Sequence, residues 1–324
     1  MAGRPPALRS ITNAVMTRNQ LEMFDCTPRE LYGAMNEPMR WLQWLAEHRL
    51  IRNSNDCGIC QQPMALVRRA ESPEGFSWKC RACNTRASVR TGSFFAHCVL
   101  GVHTIVMMMF YWAHEVKSKH VMLFEGIDDW HNMVNYNNFF RVECDRWLNR
   151  QQVDLGGFDG NGLPIYVEVD ESYFFHRKYN RGRRRRGCWV VGLVERATGK
   201  CWLEIVVRRD AQTLERIISD HVLPGTVIVT DAWAGYANVS TINNGVYDHL
   251  VVVHAENFVH PVHDDIHTQN IEGLWMQAKR KLRFQAGTSR ALFPSYLAEF
   301  QWRFSHKAHV YGQYLKLISE NYAV

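Results

Sequence analysis

Three acidic residues occupy positions where a sheet-based protein gathers chemical groups. Asp170 ends a segment in which apolar and polar residues alternate, and Asp231 ends the apolar, strand-like segment 227–231. Glu272 lies early in a segment whose apolar residues recur at helical spacing, and Lys279 falls on nearly the same side of that helix. Because ligand sites form where neighbouring strands of a sheet end side by side, we expect the three carboxylates to converge at one edge.

Oxygen ligands of this kind predict divalent-cation chemistry. Mg²⁺ and Mn²⁺ prefer carboxylates, and two such ions about 4 Å apart can activate a nucleophile and stabilise the leaving oxygen of a phosphodiester. Asp170, Asp231 and Glu272 are therefore the candidate catalytic ligands of two Mg²⁺ or Mn²⁺ ions, and Lys279 is the candidate phosphate contact. Each residue also has an ordinary interpretation, because a strand-terminal Asp is often a turn former and a helical Glu usually faces solvent.

Two pairs of cysteines predict a second, structural metal site. Cys57 and Cys60 form one Cys-x-x-Cys pair, Cys80 and Cys83 form another, and nineteen residues separate the pairs. Two thiolates on a tight turn can both reach one ion, and a second such turn completes the four-thiolate tetrahedron of structural Zn²⁺. We interpret residues 55–90 as a zinc ribbon that contacts DNA or another protein; the alternative is two coincidental pairs of free thiols.

A dense cluster of positive charge follows the first strand predicted in the C-terminal half. Seven of the eleven residues from His176 to Arg186 are Arg or Lys, in a chain of net charge +6 and pI about 8.8. Such a cluster suits a polyanion, most often nucleic acid, although a solvated loop that keeps the protein soluble has the same composition. The candidate DNA-binding residues are Arg177, Lys178, Arg181, Arg183, Arg184, Arg185 and Arg186.

Secondary-structure elements must position these residues. A glycine-rich turn segment that begins at residue 156 separates a helical N-terminal half of the chain from a strand-rich C-terminal half. Downstream, the order of elements is that of an RNase H-like α/β fold with a mixed sheet, preceded by an N-terminal helical region that contains the zinc ribbon. The predicted strands are 165–170, 188–194, 201–207, 227–231 and 250–253, and the predicted helices are 210–222, 270–283 and 293–306. The predicted domains are 1–54 (tail and helix), 55–90 (zinc ribbon), 91–155 (helical DNA-binding region) and 160–310 (catalytic domain).

The N-terminal half reads as helical outside the cysteine pairs. Residues 28–50 have an amphipathic pattern with a capped start at Thr27, and Pro38 interrupts it. The longest apolar run, 105–113, is too short to span a bilayer and predicts a core helix, so we expect no membrane association. The odd number of nine cysteines and a first segment without an apolar centre predict a reducing compartment.

Four separated segments carry a family resemblance. They are residues 167–172 with 179–183 and 189–192, residues 230–236, residues 267–275 with Lys279 and Arg280, and residues 296–303. Together they resemble the catalytic domain of the Merlin transposase superfamily and its bacterial insertion-sequence relatives, which are DDE-type proteins with a zinc ribbon and an RNase H-like domain. The resemblance covers roughly residues 160–305.

The resemblance implies a DNA transposase that hydrolyses DNA at the terminal inverted repeats of a transposon and joins the freed 3′-hydroxyls to target DNA. It assigns the acidic triad to Asp170, Asp231 and Glu272, although some relatives have Asn in the third place and Asn270 precedes Glu272 by two residues. We favour Glu272 because a carboxylate holds a divalent ion better than an amide does. His267 is either a phosphate contact or a polar residue beside the helix start.

The resemblance also implies a homodimer that pairs two DNA ends. The helices predicted over 99–150 look more like those of eukaryotic members, which favours a nuclear site of action; a bacterial host would place the protein in the cytoplasm. Two other functions fit parts of the sequence: a domesticated, catalytically silent DNA-binding protein derived from a transposase, and a zinc-ribbon adaptor that binds proteins.

Overall fold

The computed structural model of the protein describes residues 8–175, 187–252, 267–284, 289–322 and 324. The chain divides into two compact units, one formed by Met1–Trp147 with His306–Val324 and the other by Leu148–Ser305. The first unit contains the cysteine pairs, and the second contains the acidic residues.

The first unit is mostly helical around one apolar helix. Helix α4 (Val102–Ala113) buries ten of its twelve residues, and a helix that is hydrophobic on all sides must be surrounded by other elements. The core helix predicted over 105–113 is therefore confirmed. The C-terminal helix α10 (Val310–Asn321) packs against α4 and against α1 (Arg18–Glu22). Among the described residues, no helix is both long and apolar enough to cross a membrane.

Local signals fix the helices that precede the cysteine pairs. Thr27 and Glu30 form a reciprocal capping box at the start of α2 (Pro28–Met35), where the Thr27 amide donates to the Glu30 carboxylate at 2.7 Å. A second helix, α3 (Pro38–Glu47), begins at Pro38, because proline fits the first turn of a helix but not its interior. The predicted interruption is confirmed. The remaining helices of this part are α5 (Ser118–Glu125) and α6 (Trp130–Leu148).

The cysteine pairs belong to a small antiparallel sheet between α3 and α4. Its strands are β1 (Ala65–Arg68), β2 (Phe76–Lys79) and β3 (Arg86–Ser88), in that spatial order. Phe76 and Trp78 of β2 are buried and give this sheet its apolar side. The second cysteine pair directly follows β2, so the sheet positions its turn.

The second unit is built on a five-stranded mixed sheet. Its strands are β5 (Tyr166–Phe174), β6 (Cys188–Glu195), β7 (Cys201–Val206), β9 (Val227–Asp231) and β10 (Asp248–Val252). They lie in the order β10-β9-β5-β6-β7, with β5, β6 and β7 antiparallel and with β9 and β10 parallel to β5. A separate pair, β4 (Leu155–Gly156) and β8 (Val222–Leu223), is parallel. The predicted α/β class with a mixed sheet is confirmed, and the strand order is that of RNase H-like domains.

Helices cover both faces of this sheet. Helix α7 (Ala211–His221) packs on the face that includes Val169, whereas α8 (Gln269–Phe284) and α9 (Phe293–Ser305) pack on the face that includes Val190. Alternate residues of β5 therefore point to different helices, because successive side chains of a strand point to opposite faces.

A side chain from α9 closes the exposed edge of the sheet at β7. The Gln301 amide oxygen accepts from the backbone amide of Leu203 at 2.7 Å, and its amide nitrogen donates to the Leu203 carbonyl at 3.2 Å. This pair of hydrogen bonds imitates a neighbouring strand and satisfies backbone groups that an edge strand leaves open.

The predicted end of the first strand of this sheet is wrong. The alternation in the sequence ends the first strand at Asp170, whereas β5 continues to Phe174. The strand is longer because its antiparallel pairing with β6 continues, from Asp170 opposite Gly192 to Phe174 opposite Cys188. Asp231 does end its strand, as predicted.

Candidate active site and zinc module

Asp170 and Asp231 lie side by side on one face of the sheet. β5 and β9 pair in parallel as far as Glu168 opposite Val229, and Asp170 and Asp231 each lie two residues beyond that pair. The negative charge of Asp231 acts on Asp170, so the two carboxylates are near each other. Residues two apart in a strand share a face, so both aspartates belong to the face that carries Glu168 and Val229. The structure therefore brings together the first two of the three candidate acids.

The Asp170 carboxylate is anchored by α8. Trp275 Nε1 donates to Asp170 Oδ2 at 2.9 Å. Burial raises the pKa of Asp170 to about 6, the negative charges of Glu171 and Asp231 add to the increase, and the Trp275 hydrogen bond opposes it. A divalent cation bound by two neighbouring carboxylates would be the largest local charge in such a site.

Glu272 and Lys279 lie on α8 one turn before and one turn after Trp275. The Lys279 ammonium is 5.5 Å from the centroid of the Phe174 ring, and its pKa is lowered by burial while the charge of Asp170 raises it. Glu272 is exposed.

The three candidate carboxylates do not form a closed cluster. We searched residues 8–175, 187–252, 267–284 and 289–322 for groups of three or more His, Cys, Asp or Glu side chains whose ligand atoms all lie within 4.8 Å of one another. Within these ranges, the four cysteines form the one such group. The ligand atoms of Asp170, Asp231 and Glu272 therefore do not all lie within 4.8 Å of one another.

The residue that positions α8 was missed by sequence reasoning. Glu168 is fully buried on the same face as Asp170. Its Oε1 accepts from Arg196 Nε and from Asn270 Nδ2, both at 2.8 Å, and its Oε2 accepts from the Ile271 amide at 2.9 Å. Glu168 thus joins β5 to the first turn of α8 and satisfies an amide that a helix start leaves unpaired.

Asn270 and His267 contact the buried Glu168 carboxylate from the start of α8. The Asn270 amide is engaged by Glu168, and His267 Nδ1 lies 3.6 Å from Glu168 Oε1. The His267 carbonyl accepts from the Arg196 guanidinium. The sequence did contain a signal for the role of Glu168, which lies between two valines in an apolar strand. A carboxylate buried in such a strand needs hydrogen-bonding partners from elsewhere in the fold.

Gly192 lets α8 approach the sheet closely. It pairs with Asp170 in the ladder between β5 and β6, and a Cβ atom built on it would lie 2.6 Å from the Trp275 ring. Any larger residue would displace that ring. The missing side chain is therefore what allows the Trp275 indole to reach Asp170.

The opposite face of the sheet holds a second set of contacts beside the acids. Glu171, the next residue of β5, accepts from Tyr236 Oη at 2.5 Å and from Arg209 Nη1 at 3.1 Å. The backbone amide of Trp233 donates to Asp231 Oδ1 at 3.0 Å. These bonds fix the segment that follows β9 against the end of β5.

In the first unit, the four cysteines form one compact cluster. The sulfur atoms of Cys57 and Cys83 are 3.4 Å apart, as are those of Cys60 and Cys80, and Cys60 lies 3.6 Å from Cys83. A tetrahedral zinc ion with Zn–S bonds of about 2.3 Å has sulfur–sulfur edges of about 3.8 Å. The cluster therefore fits Zn²⁺, and the module around it is compatible with a zinc ribbon.

The two cysteine turns share one backbone conformation. The residue that follows each pair, Gln61 or Asn84, has a left-handed φ of 57° or 60°. In the second turn the Thr85 hydroxyl and amide donate to Cys83 and lower the pKa of its thiol to about 6. A lowered pKa favours the thiolate, which is the form that binds metals.

Replacing Cys57 with Ser is expected to weaken zinc binding by more than about 100-fold, since outer partners of a metal site alone contribute about 10–100-fold. The module should then lose its protection against limited proteolysis, because structural zinc contributes folding energy directly. Metal analysis of the purified chain gives the zinc content. Cys26, which lies outside the cluster, is the control for Cys→Ser substitution. Full zinc content in Cys57→Ser would contradict the four-cysteine assignment.

The basic segment lies outside the described residues. The seven predicted DNA-binding residues fall between Phe175 and Gly187. Their assignment to DNA stays a prediction.

The second unit is thus an RNase H-like domain that carries an acidic pair on its two central parallel strands. A family model described as the ISXO2-like transposase domain matches residues 161–305. An uncharacterized transposase-like protein of Haemophilus influenzae is 30% identical over 109 residues, which are 33% of this chain and 84% of that protein. The chain belongs to the ISXO2-like family of DDE-type insertion-sequence transposases. The resemblance recognised in the sequence is confirmed, and the family implies DNA binding.

A second relative is similar over more of the chain. Male abnormal protein mab-31 of Caenorhabditis elegans is 23% identical over 246 residues, which are 68% of this chain and 56% of that protein. The chain therefore spans about half the length of the nematode protein. The 246 matched residues are more than the ISXO2-like domain contains, so this similarity extends beyond that domain.

Proposed function

We propose that the protein is a metal-dependent DNA transposase that cleaves the ends of a mobile element and joins the freed 3′-hydroxyls to target DNA. The observation that carries this proposal is the placement of Asp170 beside Asp231 on a sheet of RNase H-like order. Membership of the ISXO2-like transposase family gives the reaction class.

The acidic edge suits hard divalent cations. Asp170 and Asp231 would hold Mg²⁺ or Mn²⁺, with Glu272 as the third carboxylate, because these ions take oxygen ligands. The raised pKa of Asp170 is in keeping with this assignment, since burial is its main cause and the neighbouring charges of Glu171 and Asp231 add to it. When bound, a pair of such ions activates the attacking water or 3′-hydroxyl and stabilises the leaving oxygen.

The surrounding residues have positioning and phosphate-binding roles. Trp275 holds Asp170 through its indole hydrogen bond, and Glu168 fixes the start of the helix that carries Glu272. Lys279 lies on the same flank of α8 as Glu272, so its ammonium would neutralise part of the charge of a phosphate beside the acids.

Glu272 is our proposed third ligand in preference to Asn270. The Asn270 amide already donates to the buried carboxylate of Glu168, so its role is to hold the helix start. The Glu272 side chain is exposed, and it lies one turn before Trp275, whose indole donates to Asp170.

DNA contacts are proposed on both units. The zinc module would contact DNA near the element end, and the basic residues between 176 and 186 would contact backbone phosphates near the cut. We further propose a homodimer that pairs two ends and, by similarity to a nematode relative, a nuclear site of action.

The test is metal-dependent cleavage of DNA that carries the element's own ends. Asp231→Asn is expected to lower the cleavage rate by at least about 1000-fold, because it removes a ligand of the ions that stabilise the transition state. Duplex affinity should change by no more than about twofold. Asp248, an exposed acid of β10, provides the matched Asp→Asn control. Cleavage that persists in Asp231→Asn, or binding lost together with cleavage, would refute the assignment.

A second candidate is a DNA-binding protein without cleavage activity. It is favoured by the similarity to mab-31, whose name describes a male abnormality and no transposition. Specific binding of the element ends by the wild-type protein, with no strand cleavage in Mg²⁺ or Mn²⁺, would establish this function in place of the first.

A further inference from the structure

Arg209 is held between two tryptophan rings beside the acidic pair. It lies between β7 and α7, with its guanidinium carbon 4.1 Å from the centroid of Trp189 and 4.5 Å from that of Trp233. Its Nη1 donates to the Glu171 carboxylate at 3.1 Å. The Glu171 side chain is only 4% exposed, whereas the Arg209 side chain is 40% exposed. The guanidinium is therefore anchored on its inner side and open to solvent.

The anchors of Arg209 are direct neighbours of the proposed metal ligands. Glu171 follows Asp170 in β5, and the amide of Trp233 donates to Asp231 Oδ1 at 3.0 Å. Arg209 and Lys279 are on opposite faces of the sheet, because Glu171 and Asp170 alternate in β5 and Lys279 lies on the helix over the Asp170 side.

A guanidinium held in this way is suited to bind a phosphate. It has five N–H donors in a rigid fork that matches phosphate oxygens, and the bond to Glu171 uses one of them. Two stacked rings and an ion pair fix its orientation before any ligand arrives, so little side-chain freedom remains to be lost on binding.

A purely structural arginine in the same domain differs in its exposure. The Arg196 side chain pairs with Glu168 and is 16% exposed, and its carbon lies 5.3 Å from the Tyr166 ring centroid. A role limited to holding Glu171 in place would be served equally by a covered guanidinium. Arg209 therefore differs from Arg196 in being open to solvent, and it differs from other exposed arginines of the domain in lying beside the proposed metal ligands.

We propose that Arg209 binds a backbone phosphate of the DNA that enters the acidic site, on the face of the sheet opposite Lys279. This proposal rests on the proposed function, because DNA must occupy the site for the contact to form. An edge lined by carboxylates repels a polyanion until divalent ions neutralise it, so DNA comes within reach of Arg209 only when the ions are bound.

The experiment measures affinity for a fluorescein-labelled duplex oligonucleotide of arbitrary sequence, in Ca²⁺ and in EDTA. Ca²⁺ lets DNA enter a carboxylate site and is expected to support no cleavage. Arg209→Ala is expected to lose about tenfold in affinity in Ca²⁺, the loss of one charge-assisted contact, and less than about twofold in EDTA. Its slope of log affinity against log salt in Ca²⁺ should be smaller by about one.

Two further variants separate phosphate binding from folding. Arg216 is the matched control, because it is a half-exposed arginine of α7 that pairs with Glu204 and Asp220. Arg216→Ala should keep the full increase in DNA affinity that Ca²⁺ gives the wild-type protein. Arg209→Lys keeps the charge but not the planar fork, so it should keep the salt slope and recover part of the affinity.

The outcomes distinguish this inference from the proposed function. A loss in Arg209→Ala that is equal in Ca²⁺ and EDTA would assign Arg209 to structure alone and overturn the inference. If Arg209→Ala kept the full increase in DNA affinity that Ca²⁺ gives the wild-type protein, the inference about Arg209 would be overturned, although the metal site would stand. Absence of any gain in Ca²⁺ for the wild-type protein would reject the metal site itself, and the inference with it.

Discussion

Replacing Glu168 with Ala is expected to lower the free energy of unfolding by about 3–5 kcal/mol, the cost of leaving a buried charge without its partner. The substitution removes the acceptor of Arg196 Nε, of the Asn270 side chain and of the Ile271 amide. The buried Ile271 amide then remains desolvated without this acceptor, and the largely buried Arg196 guanidinium loses its ion-pair partner. Urea denaturation followed by tryptophan fluorescence measures the change. Cleavage should be lost as well, because α8 would no longer be fixed over Asp170.

Two comparisons make the Glu168 result interpretable. Glu204→Ala removes a surface acid that pairs with Arg216, and exposed pairs contribute about 0–1 kcal/mol. Glu168→Gln keeps one acceptor but places an amide donor against other donors, so an intermediate loss is expected. A change in Glu168→Ala no larger than that in Glu204→Ala would show that the cluster does not fix the helix.

Features set by neighbouring residues in the sequence were predictable. Thr27 and Glu30 lie within one turn and specify a helix start, and each cysteine pair spans one tight turn. The acids were located by a similar local argument, since Asp231 ends an apolar strand. Local patterns also gave the order of strands and helices from which the mixed sheet was inferred.

Features that depend on distant partners were not predictable. Glu168 and Ile271 are 103 residues apart, and Gln301 covers an edge strand 98 residues away. The alternation of residues in β5 shows that Glu168 and Asp170 are on the same face of the sheet, but it does not show which hydrogen-bond donors contact Glu168 there. The return of α10 to the N-terminal unit has the same cause, because an amphipathic helix shows which face it buries but not the helix that covers it.

Asp170→Asn is expected to stabilise the metal-free protein while it abolishes cleavage. The pKa of Asp170 is raised to about 6, whereas an Asp in an unfolded chain titrates near 3.9. The folded state therefore binds the proton more tightly, and the free energy of unfolding of the wild type falls as pH rises between about 4 and 6. Asn removes this penalty and can still accept from Trp275 Nε1.

In EDTA at pH 7.5, the variant should be more stable than the wild type by about 1–2 kcal/mol, which is about two pKa units reduced for partial exposure. At pH 4 the difference should vanish, because the wild-type carboxyl is then protonated in the folded state. Mg²⁺ should raise the melting temperature of the wild type but not of the variant, since only the wild type retains both acids.

Asp159 provides a control of the opposite sign. Its pKa is lowered because the amides of Leu163 and Asn161 donate to it, so its charge contributes stability at pH 7.5 that is lost as pH falls. Asp159→Asn should therefore lower the melting temperature at pH 7.5 and lose that effect in acid. If Asp170→Asn behaved in the same way as Asp159→Asn, its carboxylate would be a structural hydrogen-bond acceptor and not a ligand held at a cost in stability for a cation.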